Sequence, residues 1–312
     1  MADARRERCP ALASGAGICF RSRPCKVDLK SYFALTHRQN KENGMLTFGS
    51  IGCGNMGGAI LEGVAKLGTS GTWRVIGFDP NQAAVKGLRE RCGLTPCADE
   101  IETARLADVV LIAVKPEHVR AVLEKIAPHL TGKLLISLAA GVALERIKTY
   151  SADACPAVVI MPNTPAMVGE GCCALCLDDP ALNEGQKKLV LELFSAMSTA
   201  VVLRESQIPE FSALIGSGPA FIFHLLESFV EAGLRLGFSY ADAKQLVEKL
   251  MLGSVRLAQG NPDIPHAKLR MNVCSPGGSS IMGVNELDRL GVRGAIIDAV
   301  LATHRRALEM SS

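Results

Sequence analysis

Two clusters of small and polar residues in this sequence have the composition of ligand-binding loops. The first, Gly52-Cys53-Gly54-Asn55-Met56-Gly57, spaces its glycines as GxGxxG. That spacing lets a chain turn tightly out of a strand, bring bare backbone up to a diphosphate, and pack the following helix close to the sheet. The helix N-terminus, with its unpaired N–H groups, then attracts phosphate. Asp79 follows the last glycine by about twenty residues, where an acid accepts hydrogen bonds from the adenosine ribose hydroxyls and repels a 2′-phosphate. The residues after it, Pro80, Asn81 and Gln82, offer no cation to receive such a phosphate, so the pattern favours NADH over NADPH. An aspartate there can also cap the next helix, and the two roles are compatible. The second cluster closes the segment LRMNVCSPGGSS, Leu269 to Ser280. Its glycines and serines precede a helical stretch, and successive N–H groups in such a turn form a nest that suits a carboxylate. An ordinary helix start has the same composition.

The elements that must position these loops are of two kinds. From Met45, short apolar runs alternate with helical stretches, the pattern of βαβ units and a mainly parallel sheet. Strands are expected at Leu46 to Ile51, Arg74 to Phe78, Val109 to Val114, Leu134 to Leu138 and Val158 to Met161, with a weaker pair near Cys173 to Leu177 and Ala200 to Leu203. Their hydrophobicity is continuous, as when helices cover both faces of a sheet. After about Glu205 only helical periods remain. One helix opens at Pro219 and ends before Gly237; the next starts at Ser239, with Asp242 three residues on, and runs to about Gln259; a last covers roughly 294 to 309. The fold class is therefore α/β: a Rossmann-type dinucleotide-binding domain over 45–207, then an all-α domain over 208–312.

Composition narrows the partners. The 312 residues, 48% hydrophobic, can fill two cores, and a net charge of +3 without a basic stripe favours a small molecule over nucleic acid. The apolar run Leu134 to Leu144 is too short for a bilayer, so no membrane span is expected. The 11 cysteines are irregularly spaced within apolar runs and read as reduced thiols. Cys172, Cys173 and Cys176 lack a fourth ligand, so no metal is expected. Residues 1–44, rich in arginine and without hydrophobic period, fit a loose tail or a mis-assigned start at Met1, with Met45 as the true start, better than a transit peptide. A cytoplasmic location follows, or an organelle if that leader is genuine. His118, His129, His224, His266 and His304 show no ligand spacing. Lys115 reads as part of a turn shaped by Pro116.

Five motifs in order, AVKP at Ala113 to Pro116, SLAAG at Ser137 to Gly141, MPNTP at Met161 to Pro165, GSGPA at Gly216 to Ala220, and LRMNVCSPGGSS itself, resemble the pyrroline-5-carboxylate reductase family over about residues 45 to 310. The resemblance implies reduction of 1-pyrroline-5-carboxylate to L-proline, the last step of proline biosynthesis, by NADH or NADPH. It implies a cofactor site at Ile51, Gly52, Cys53, Gly54, Asn55, Met56, Gly57, Asp79, Asn81, Ala113, Val114, Lys115, Pro116, Leu138, Ala139, Ala140 and Asn272. Backbone N–H groups of Gly278, Ser279 and Ser280 would hold the substrate carboxylate, the Ser280 hydroxyl would stand beside the ring nitrogen, and Glu205 would help shape the substrate site. It also implies a homodimer with exchanged C-terminal helices, assembling into a decamer. Ser280 stands where the family commonly has threonine, which keeps the hydroxyl and loses a methyl.

Two other readings are weaker. A β-hydroxyacid dehydrogenase would carry a lysine just after the glycine-rich turn at Gly216 to Gly218, where this chain has Pro219 to His224 without one. A non-catalytic dinucleotide sensor would show a degraded substrate loop, and here that loop keeps its glycines and hydroxyls.

Overall fold

The computed structural model describes residues 45–68 and 73–311; the expectations about 1–44 lie outside them. The described chain forms two compact units. One runs through Gly216 and takes in the chain end from Arg306; the other is Ser217–Arg305.

The first unit is built on one eight-stranded sheet. Its strands are β1 Leu46–Ile51, β2 Trp73–Phe78, β3 Thr95–Pro96, β4 Val109–Ile112, β5 Leu134–Ser137, β6 Ala157–Pro162, β7 Cys172–Cys176 and β8 Thr199–Val202. Their order is β3-β2-β1-β4-β5-β6-β7-β8. All neighbours pair in parallel except β6 and β7. Alternate residues of each strand supply opposite faces. Val109 and Leu111 join one core with Phe48, Leu61 and Leu88, while Val110 and Ile112 join the other with Leu123 and Ile147. Both faces are dry, which is why the strands read as unbroken apolar runs. Each fully buried large side chain contributes about 1.5–3 kcal/mol through area removed from water.

Buried charge fixes the edge of the sheet where strands begin. Asp108 Oδ2 accepts from Thr47 N–H at 2.8 Å, and Asp179 Oδ2 accepts from Ala157 N–H at 2.7 Å. Lys148 Nζ stands 3.1 Å from Asp179. Lys133 Nζ donates to the carbonyls of Arg105 and Ala107 at the C-terminal end of the helix Glu100–Leu106, the end that favours a cation. The opposite edge, where the strands end, is left for chemistry.

The eight described cysteines are free. Burial pushes the thiols of Cys53, Cys155, Cys173 and Cys176 up from 9.0 to about 12. The folded chain keeps those protons above pH 9 while the unfolded chain releases them. This contribution to stability is therefore complete below pH 9 and lost as pH rises toward 12, by at most about 1.4 kcal/mol per pH unit for each thiol. Urea unfolding across pH 8 to 11 should show that decline; a flat profile would contradict it.

In the second unit the helices are α8 Gly218–Arg235, α9 Tyr240–Gln259, α10 His266–Val273, α11 Ser279–Arg289 and α12 Val292–Ser311 as far as Arg305, counting α1 Asn55–Leu67, α2 Gln82–Cys92, α3 Glu100–Leu106, α4 Pro116–Ile126, α5 Leu144–Tyr150, α6 Glu184–Ser195 and α7 Ile208–Phe211 before them. Ser239 caps α9 as expected, its Oγ accepting from Asp242 N–H at 3.1 Å and donating to Asp242 Oδ2 at 2.6 Å. Gly233 lets α8 and α9 close up, since a Cβ there would lie 2.9 Å from that of Ala243. The shared core of this unit is small: Val230, Ala243 and Val247, with Leu226 and Met251 against them. Phe223, Phe229, Leu250, Leu257, Ile297 and Leu301 face outward. The stretch Glu205–Arg235 is long and apolar enough to cross a membrane on length and composition.

The break between units falls after Gly216. The sequence reading places it after residue 207. The difference has a packing cause, for Phe211 is buried against Ala174 and Val201 of the sheet and Ala213 is buried with it, which ties α7 and the π-helical turn Ser212–Gly216 to the first unit.

Candidate active site

The strand order reverses direction at β1, which has β2 on one side and β4 on the other, so a crevice opens where β1 and β4 end. The glycine loop lies in it. Gly52 leaves β1 with φ +100°, and its N–H donates to Phe78 O at 2.9 Å. A Cβ at Gly52 would stand 2.5 Å from the Ala113 carbonyl oxygen, and one at Gly57 would stand 2.4 Å from the Gly52 oxygen. These two glycines are needed by the fold itself. Gly54 is different, because a Cβ there would meet nothing within 4 Å and the residue is exposed. α1 begins directly after it, with no side-chain cap and no acid in its first turn. Thirteen residues of helix thus present uncapped N–H groups beside an open glycine, a cradle that fits a dinucleotide diphosphate.

Asp79 stands just past the end of β2. Its Oδ2 accepts from Cys53 N–H at 2.7 Å and its Oδ1 from Asn81 N–H at 2.8 Å. The carboxylate is held at the crevice and itself holds the glycine loop. The capping role that the sequence allowed it belongs to Asn81, whose side chain accepts from Ala83 N–H at 3.1 Å at the start of α2. The Cys53 side chain is buried in the core and its thiol is pushed up to about 12 by burial, so it cannot act as a nucleophile near neutral pH.

The remaining expected cofactor residues of this unit lie on the same edge. β4 ends at Ile112, two residues earlier than expected, and Ala113 N–H then donates to Ile51 O at 2.8 Å. Val114, Lys115 and Pro116 lead into α4, with Lys115 exposed at its N-cap position and Pro116 in its first turn. Leu138 N–H donates to Ile112 O at 3.0 Å, and Ala139 and Ala140 follow β5.

Beside them a cavity of about 450 Å³ opens at the ends of β5 and β6. Ala139, Ala140, Met161 and Glu205 are among its walls, and all its lining residues belong to the first unit. Glu205 is held at both ends: its N–H donates to Asp178 Oδ2 at 2.7 Å, and its Oε1 accepts from Leu144 N–H at the first residue of α5. Sequence reasoning did not single out Asp178, whose only signal was an acidic pair after β7. Nor did it find the cavity walls at Ala307, Leu308 and Met310, for which no motif exists.

Asn272, Gly278, Ser279 and Ser280 are carried by the second unit. Asn272 lies exposed on α10. Gly277 takes φ +69°, and Gly278 is the N-cap of α11. One detail differs from expectation: Gly278 N–H donates to Ser275 O at 3.0 Å, so it closes the turn and is not free for a ligand. α11 has no side-chain cap and no acid in its first turn, where Ser279 and Ser280 stand exposed. The nest is therefore smaller by one donor than the sequence implied.

Residues 205–310 match the family model for the pyrroline-5-carboxylate reductase dimerisation region, and residues 47–141 match the model for NADP oxidoreductases, coenzyme F420-dependent. Pyrroline-5-carboxylate reductase from Methanosarcina acetivorans is 32% identical over 84% of this chain and 97% of its own length. The chain belongs to the pyrroline-5-carboxylate reductase family. The Escherichia coli reductase is 31% identical over 84% of this chain and 97% of its own. Among solved structures, pyrroline carboxylate reductase from Plasmodium falciparum, with NADP bound, superposes with a TM-score of 0.77 at 29% identity, covering 86% of this chain and all of that one. The reductase from Coxiella burnetii gives 0.76 at 32% identity, over 86% and 99%. As a member of this family the chain is an oxidoreductase with a nicotinamide dinucleotide cofactor and a homo-oligomer-forming C-terminal region. That region carries the outward apolar side chains of α8, α9 and α12 and the membrane-like stretch Glu205–Arg235.

Proposed function

We propose that this family member reduces 1-pyrroline-5-carboxylate to L-proline, with NADH preferred, in the cytoplasm. The observation that carries the reading is the uncapped α1 N-terminus beside open Gly54, with Asp79 anchored at the same crevice. Ile51 to Gly57, Asp79, Ala113 to Pro116 and Leu138 to Ala140 would hold the dinucleotide, with Asn81 and Asn272 contributing. When bound, the nicotinamide supplies the hydride that reduces the imine carbon.

The protein's share is binding, orientation and placement of charge. The first-turn N–H groups of Ser279 and Ser280 bind the substrate carboxylate, with Gly278 shaping the turn. The Ser280 hydroxyl hydrogen-bonds at the ring nitrogen. It positions this atom and is too weak an acid to protonate it near neutral pH, so the substrate enters as the iminium. Glu205, fixed by Asp178 and Leu144, sets the floor of the cavity. Apolar walls at Val159, Ile160 and Ile208 keep water from the reacting carbon. The nest of one copy serves the cavity of another across a dimer, and dimers assemble into a decamer.

Purified protein starting at Met45 should oxidise NADH, and NADPH more slowly, only when pyrroline-5-carboxylate is present, with proline as product. Folded protein that binds NADH without turnover would overturn the reading. The interface has its own test. Phe223→Asp puts a charge on an exposed apolar position of α8, and light scattering should then report smaller species, with activity lost in proportion. An unchanged mass would remove this face from the assembly.

A further inference from the structure

The cavity at the ends of β5 and β6 is closed on one side by the last turn of α12. Ala307, Leu308 and Met310, in the last turn of α12, line it together with residues that follow β5 and β6. The turn approaches at backbone contact. Gly141, with φ +75°, has no side chain to hold it off, and a Cβ there would lie 3.0 Å from the Met310 carbonyl oxygen. This turn is counted with the first unit although most of α12 is not.

The walls differ in character. Ala139, Ala140 and Ala143 are short side chains around β5 and the start of α5, and Ile160 is buried in the sheet. Leu308 and Met310 are long, about half-exposed and three residues or fewer from the described chain end. A size limit built by such side chains can be changed without disturbing the sheet.

We infer that the C-terminal turn is a wall of the substrate cavity, and that Leu308 and Met310 set the ring size of the cyclic imine that the enzyme accepts. The inference rests on the proposal that this cavity receives the imine. Apolar walls discriminate one methylene by roughly 10–200-fold, which is the difference between a five-membered and a six-membered cyclic imino acid.

The test compares wild type, Leu308→Ala and Met310→Ala, in full-length protein, for kcat/KM on the five- and six-membered imines. Binding of L-proline and of its six-membered homologue, read by thermal shift without cofactor, gives a second readout. The alanine variants should move the kcat/KM ratio toward the larger ring by about tenfold and strengthen the shift given by the larger amino acid. A chain ending at Glu309 serves if Met310→Ala misfolds. Folded variants with both ratio and thermal shifts unmoved overturn the inference. Absence of turnover on the five-membered imine by wild type overturns instead the reading on which it rests.

Discussion

Replacing Asp79 with serine is expected to raise KM for NADH by about 10–100-fold and to improve NADPH, reversing the cofactor preference. The magnitude is that of hydrogen bonds to a charged acceptor, about 1.5–3 kcal/mol, and the gain with NADPH comes from removing a carboxylate that would face a 2′-phosphate. The structure adds a complication, because the same carboxylate accepts from Cys53 N–H in the glycine loop. Serine would release the loop as well as the ribose. Asp79→Asn keeps the hold on the glycine loop, since its amide oxygen can still accept from Cys53, while the charge and the bond from Asn81 N–H are gone. Asparagine should therefore relax cofactor choice with a smaller loss of NADH affinity than serine, which also releases the glycine loop. Initial rates with each cofactor decide it; a preference unchanged in both variants would end the ribose-hydroxyl role.

Gly52→Ala and Gly54→Ala are expected to fail in different ways. Alanine at Gly52 must adopt φ +100° and place its Cβ 2.5 Å from the Ala113 oxygen. Backbone strain alone costs about 1–3 kcal/mol, and parting the ends of β1 and β4 adds to it. The melting temperature should fall by roughly 5–10 °C, with cofactor binding lost. At Gly54 the backbone has φ −69° and the new methyl meets no protein atom within 4 Å. That variant should melt like wild type and bind dinucleotide about tenfold more weakly, because the methyl occupies space meant for a diphosphate. Equal melting losses in the two would show that Gly54 serves the fold and not the ligand.

Much of this was legible because the deciding features are local. Strands dry on both faces announce themselves as apolar runs, and seven of the eight start or end within a residue of where the sequence puts them. β3 was missed, since Thr95–Pro96 is two exposed residues long and has no hydrophobic signal. The antiparallel setting of β7 was not read either. Residues 163–171, which join it to β6, are too few for a crossover of a dozen or more, so the direction of β7 is implicit in the length of that connection. The cap at Ser239 was visible as a residue pattern. Contacts between distant segments were not: the hold of Asp178 on Glu205, the commitment of Gly278 N–H to Ser275, and the return of Met310 to Gly141 depend on tertiary folding and leave no mark in spacing.

The small core around Val230, Ala243 and Val247 makes protein concentration a variable of stability. A helical unit that buries so few of its apolar side chains internally draws its folding free energy from a neighbour, and mass action then enters its unfolding equilibrium. Dilution should lower the transition of this helical unit while leaving the sheet, which has two cores of its own, nearly indifferent. Substitutions on α8 and α9 would accordingly have effects that grow or fade with the amount of protein present, and a variant benign at high abundance could unravel when expression falls.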